Sequence, residues 1–220
     1  DGPVLKEKWT SFVGLHKVPV VYGLTIGEYG KMVNGEKWLK NGMQAKYTII
    51  PMLNYHKKQR YPISEKPSPN LPNDQSINLY PSLCFFEGTQ VSIGRGTDFP
   101  FQVFGSPWLK NHPFKFTPKP NFGAKDPFLN GKICNGEDLR NYPEIKEKLD
   151  LSFVINAYKN FDKKSKEFFL KNLWFDTLAG TDELRKQIIS GKSEEEIRNS
   201  WKQDLQNFEK IRTKYRIYQD

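Results

Sequence analysis

The sequence predicts an α+β fold: a small mixed or antiparallel sheet with long loops over residues 1–143, closed by a C-terminal helical subdomain over 144–220 that packs on it as one unit. Short β-branched and aromatic runs separated by Pro- and Gly-rich stretches fill the first part. From Ile145 onward the apolar residues fall at helical spacing between cap signals. With 220 residues, 37% hydrophobic and 14% aromatic, the chain can bury a sizeable core that is aromatic rather than aliphatic.

Residues 1–60 read as loop, helix and strand. Thr25-Ile26-Gly27-Glu28 has the spacing of a capping box, so a helix starts there. Lys46–Tyr55 (KYTIIPMLNY) reads as a strand, with Pro51 marking an edge or bulge. Residues 61–75 form a stiff, Pro-rich loop. A short helix follows over Asp74–Phe86, with Asp74 at its cap and Ile77, Tyr80, Leu83 and Cys84 on one face. Phe99–Phe104, Phe114–Phe116 and Lys132–Asn135 are further strand candidates.

In the helical part Phe153, Ala157 and Phe161 share a face, and Phe168, Phe169, Leu173 and Trp174 supply the next. Gly180-Thr181-Asp182 stops one helix and opens another over Glu183–Ser190. Ser193 and Glu196 make a second capping box. Behind it Ile197, Trp201, Leu205, Phe208 and Tyr215 form an apolar stripe of the width that faces a core.

The net charge is +9, yet residues 144–220 hold 16 Lys and Arg against 14 Asp and Glu, leaving +7 spread through residues 1–143. No zinc-finger spacing, RNP-like motif or Arg-rich helix accompanies it, so nucleic acid is not the expected partner. Anionic partners such as cell-wall polymers suit the charge equally. No run reaches the roughly 18 apolar residues of a membrane span, and no signal peptide is visible. The chain opens at Asp1-Gly2-Pro3 without a methionine, which reads as the loss of an upstream part. Cys84 and Cys134 suit a disulfide or two separate buried thiols.

The chemistry-bearing stretch is Glu87–Trp108 (EGTQVSIGRGTDFPFQVFGSPW). In Gly94-Arg95-Gly96-Thr97 the glycines permit positive φ or close approach to a ligand. Arg95 can then offer its donor fork to a carboxylate or phosphate, or brace the turn against a local acid. Trp108 is an aromatic plate of the kind that stacks on sugar rings. Glycoside hydrolysis needs two carboxyls about 5–9.5 Å apart, one of them held protonated. Glu87, following Phe85-Phe86, is the local acid that burial can tune; pairing with Arg95 is its other reading. His16, His56 and His112 lack ligand spacing, and nucleophile-elbow and P-loop patterns are absent, so neither metal nor cofactor is expected.

Several ordered segments resemble the NamZ-type exo-β-N-acetylmuramidases, a bacterial cell-wall glycosidase family formerly filed as a domain of unknown function. They include DGPVL at residues 1–5, SFVGLHKVPVVYGLTIGE at 11–28 and PSPNLP at 67–72. LYPSLCFFEGT at 79–89, GRGTDFPFQVFGSPW at 94–108, LAGTDELRKQI at 178–188 and SEEEIRNSWKQDLQNF at 193–208 continue the match. The resemblance places the chain in the family's C-terminal half. It implies an upstream Rossmann-like half whose Glu-His-Gly motif holds the main catalytic glutamate, with the site in the cleft between halves. The implied substrate is the non-reducing terminal N-acetylmuramic acid of peptidoglycan fragments, and the implied location is periplasmic or extracellular.

On that resemblance Arg95 reads the lactyl carboxylate. Asn70 and Thr97 bond acetamido or hydroxyl groups, and Trp108 or Tyr80 supplies an apolar wall. Glu87 is the partner carboxyl or the brace of Arg95. The chain alone is expected to be inactive, and a non-catalytic muramic-acid-binding module is the alternative.

Overall fold

Local cap chemistry sets the helix starts. In this computed structural model, which describes residues 1–143 and 147–219, Thr25 accepts from the Glu28 N–H while Glu28 accepts from the Thr25 N–H, opening α1 (Ile26–Gly35). Ser193 and Glu196 do the same for α6 (Glu194–Arg212). For α2 (Asp74–Leu83) the cap is Asn73, in a reciprocal pair with Ser76, and the Asp74 carboxylate instead accepts from the Ile63 N–H.

The buried face of α2 is also not the expected one. Ser76, Leu79 and Leu83 pack inward with Cys84, whereas Ile77 is half-buried and Tyr80 stands 39% exposed at the rim. Residues at i, i+3 and i+7 share a helix face, so a one-residue rotation of the stripe frees Tyr80 for the site.

The sheet is three-stranded and antiparallel in the order β1 (Val103–Ser106), β3 (Cys134–Asp138), β2 (Phe114–Phe116). Phe104 lies opposite Glu137, and Phe114 opposite Gly136. The expected strand over Phe99–Phe104 begins late, because Phe101 takes a left-handed φ of 57° that a strand cannot hold. Lys132–Asn135 is likewise shifted toward the C-terminus, to Cys134–Asp138. Lys46–Tyr55 forms no strand among the described residues: residues 46–51 have no main-chain hydrogen-bond partner there, and Leu53 and Asn54 lie in a turn, with Asn54 at a left-handed φ of 58°.

α3 (Ser152–Asn160) buries Phe153 and Ala157, with Phe161 buried at its C-cap; Ile145, where helical character was expected to begin, lies outside the described residues. Phe168 and Phe169 are not helical. They run beside Thr89, where the Gln90 N–H donates to Phe168 and the Leu170 N–H to Gly88. The helix waits until α4 (Trp174–Ala179), ends with Gly180 at φ 71°, and passes to α5 (Glu183–Ile189). The Arg185 guanidinium grips the fully buried Asp176 carboxylate at 2.7–3.1 Å and ties these two helices together.

The core is aromatic. Phe86 stacks on Phe104 at 4.8 Å, Phe104 meets Phe153 at 6.0 Å, and Phe169 meets Phe175 at 4.8 Å. One continuous cluster runs from Leu79 to Trp201 and takes in Ile197 and Trp201 of the α6 stripe, with Leu205 against its edge. Cys84 and Cys134 are separate free thiols, both buried. No helix among the described residues is long and apolar enough to cross a membrane.

Candidate functional site

Two glycines build the arginine turn. Gly94 and Gly96 sit at φ 78° and 82°, and a Cβ on Gly94 would lie 2.6 Å from a Val103 methyl carbon and 2.8 Å from the Phe99 carbonyl. On Gly96 it would strike the Lys119 carbonyl and Pro127 at 2.6 Å. The positive φ expected of these glycines is present, the close neighbours are protein atoms, and together they project Arg95 from a buried frame.

Arg95 donates through Nη2 to Glu87 Oε1 at 2.9 Å, and its guanidinium lies 5.3 Å from the ring centre of Phe101. Tyr80 packs on the same ring at 4.7 Å. Tyr80, Glu87 and Arg95 are therefore one group around Phe101. Both charged side chains are partly exposed, 26% for Glu87 and 39% for Arg95. Arg95 Nε and Nη1 and Glu87 Oε2 make no hydrogen bond among the described residues, so the pair braces the turn with donor positions of the guanidinium left over. Burial, then the neighbouring Cys84 and Glu87, pushes the Tyr80 phenol above its ordinary value, leaving a neutral hydroxyl at neutral pH.

Phe101 is the residue that sequence reasoning missed. It is fully buried, its N–H donates to Ile93 O at 2.8 Å, and its left-handed backbone is costly for an aromatic residue. The FPF run hid it, since alternating aromatics read as strand.

Asn70 and Thr97 converge elsewhere, on the turn at residues 121–124. Asn70 Nδ2 donates to Gly123 O at 2.8 Å, and Asn121 Nδ2 donates to Thr97 O at 3.2 Å. The Thr97 hydroxyl is taken up locally, donating to Gly94 O at 2.7 Å and accepting from the Phe99 N–H at 3.0 Å. These two residues hold the loops that frame the arginine turn. Trp108 is separate from both groups: it packs on Phe161 at 6.2 Å, with the Lys132 and Lys166 ammonium groups each 5.7 Å from its ring.

A cavity of about 420 Å³ opens beside Tyr80. One wall comes from residues 3–29, including His16, Tyr22 and Tyr29, and the other from Tyr80, Cys84 and residues 177–180. His16 Nδ1 lies 2.8 Å from the Tyr29 hydroxyl, and burial lowers the imidazole's affinity for a proton. Spacing along the sequence gave no sign of this wall, because its aromatics are gathered by tertiary packing. Burial, aided by the Glu87 charge, drives the Cys84 thiol up to about 12, which makes it a packing group and not a nucleophile.

The family model for the C-terminal part of the exo-β-N-acetylmuramidase NamZ matches residues 78–218, and the model for its N-terminal part matches residues 1–75. The chain belongs to the NamZ family. It is not confined to the C-terminal half, since its first third matches the N-terminal model. It is 34% identical over 236 residues to the peptidoglycan β-N-acetylmuramidase NamZ of Bacillus subtilis (strain 168), covering 99% of this chain and 56% of that one. The chain therefore spans little more than half the length of that relative.

A solved DUF1343 family protein from Bacteroides fragilis NCTC 9343 superposes with a TM-score of 0.94 at 44% identity, over all of this chain and 62% of that one. A second protein of that family from the same organism shares the fold, with a TM-score of 0.76 at 21% identity, over 99% and 62% of the two chains.

Proposed function

We propose that this chain forms the substrate side of a peptidoglycan glycosidase that releases terminal N-acetylmuramic acid from the non-reducing ends of wall fragments. Family membership supports the cell-wall glycosidase class. The observation that carries the finer reading is the Arg95–Glu87 pair seated on Phe101, with the neutral Tyr80 hydroxyl beside it. N-acetylmuramic acid differs from N-acetylglucosamine by a lactyl ether ending in a carboxylate. A guanidinium with two unspent donor positions on a rigid turn is the group that recognises it.

In this reading Glu87 holds Arg95 in place. Tyr80 offers a wall and a donor, and Asn70 and Thr97 keep the flanking loops in register. The Trp108 plate lies apart and meets only the more distant part of a glycan. The main catalytic carboxyl comes from the remainder of the N-terminal domain, the partner this chain needs, so the 220 residues alone bind and do not hydrolyse. The wall substrate also argues for a periplasmic or extracellular location.

The test is substrate discrimination in a protein extended at its N-terminus to the length of the relatives. Arg95→Ala should lower kcat/KM on a chromogenic β-N-acetylmuramide by about 100-fold, as loss of a charged hydrogen-bonded pair does. Its low activity on the matching glucosaminide, which lacks the carboxylate, should be unchanged. An Arg95→Ala protein that keeps the full preference for muramide would remove the carboxylate-reading role.

A further inference from the structure

The part of the chain that matches the N-terminal family model is unlike the rest in what it leaves uncovered. Residues 1–75 contribute Leu5, Met32 and Val33 to the 32 buried hydrophobic side chains among the described residues, yet 11 of the 18 exposed large ones. Three of these fall together in the run that reads as a strand, where Ile50 is 88%, Met52 55% and Leu53 91% exposed. Exposed apolar side chains gathered in one short run, unlike singly scattered ones, call for a partner.

The backbone points the same way. Residues 46–51 make no main-chain hydrogen bond to other main chain among the described residues. Its hydrogen bonds are at its ends, to Asn34, whose amide pairs with Ala45 at 2.6 and 3.3 Å, and to the Tyr218 hydroxyl, which accepts from the Met52 N–H at 2.8 Å. Ile49 packs back toward Gly27 of α1 while Ile50 faces outward. A β-branched, aromatic segment tied near both ends and without main-chain partners between them leaves donors and acceptors open, Pro51 excepted for its missing N–H. Such a conflict between local preference and local structure marks a missing neighbour.

We infer that residues 46–50 are an edge strand completed by the remainder of the N-terminal domain through main-chain pairing, and that Ile50, Met52 and Leu53 are buried in the same junction. The face lies in the part of the chain that matches the N-terminal family model, and the chain covers only 56% and 62% of two relatives, so the occupant is the rest of that domain. The inference rests on the two-part reading above and names the surface where the parts join.

Hydrogen exchange tests it, comparing this chain with the N-terminally extended protein. Amides 47–50 should exchange freely in the short chain and at least about 100-fold more slowly in the extended one. Ile50→Asp and Leu53→Asp should leave the short chain's unfolding midpoint unchanged and abolish that protection in the extended protein. Amides equally open in both proteins, or substitutions silent in both, would overturn the inference. So would concentration-dependent dimerisation of the short chain that Ile50→Asp abolishes, since the face would then belong to a second copy. Protection without muramidase activity would sustain the docking and count against the catalytic reading, so the two fail separately.

Discussion

Residues 1–75 and residues 78–218 are held by different forces. The second region is organised around an aromatic core in which Phe85, Phe86, Phe101, Phe104 and Phe175 are fully buried. The first adds a few apolar contacts, Val20, Val21 and Leu71 at the edge of that core and Phe12 on Trp174, and is otherwise tied on by polar ones. Lys6 donates its N–H to Gly180 O, the Asp1 carboxylate pairs with Arg198, and Glu28 gathers the Ile217 and Tyr218 N–H groups. One region therefore resembles a finished domain, and the other a piece attached to it. The cavity beside Tyr80 lies on the seam, with one wall from each region.

Removing residues 193–220 sharpens this contrast most. It deletes Ile197, Trp201 and Phe208 from the interior and also the two N–H groups that hold Glu28. Burial of each such apolar side chain is worth roughly 1.5–3 kcal/mol, so the truncated chain should lose its cooperative unfolding transition in urea. A soluble, cooperative truncation would mean that α6 is not part of the core.

Phe86→Ala should cost about 3–5 kcal/mol in the same assay, since it empties the stack on Phe104. Glu28→Gln comes next, at about 3 kcal/mol near neutral pH. Burial alone would raise this carboxyl, but N–H groups of Ile217, Thr25 and Tyr218, with the Lys57 ammonium, outweigh it and bring it from 4.5 down to about 2. A depressed folded value means the contribution is complete above about 4.5 and lost as pH falls through about 2. The gap between Glu28→Gln and the parent should therefore close in acid, and a gap constant from pH 7 to pH 2 would deny the charge its role. The smallest effect belongs to the thiols: burial drives both Cys84 and Cys134 up to about 12, so neither should alkylate in the folded chain at pH 8.

Much of this was legible in the sequence because it is local. Thr25 with Glu28 and Ser193 with Glu196 are reciprocal side-chain-to-backbone pairs closed within four residues, and both stand as read. Gly94 and Gly96 were legible for the same reason, and so was the pairing of Arg95 with Glu87, eight residues away. What escaped needed distant partners. Phe168 and Phe169 read as helix, but their main chain is taken up by residues 88–90. Phe101 read as strand, yet its ring is a floor for Tyr80 and Arg95, which come from two other turns of the chain. Lys46–Tyr55 carries a strand's composition and, within these residues, nothing to pair with.

In the proposed function this chain is a specificity wall, and catalysis depends on the rest of the N-terminal domain. Release of chromophore from a β-N-acetylmuramide, by the 220-residue chain and by its N-terminally extended form, tests it most directly. The account predicts turnover by the extended form alone, together with saturable binding of free N-acetylmuramic acid to the short chain that Arg95→Ala abolishes. Turnover by the short chain would contradict it and move the catalytic carboxyls to Glu87 and its neighbours.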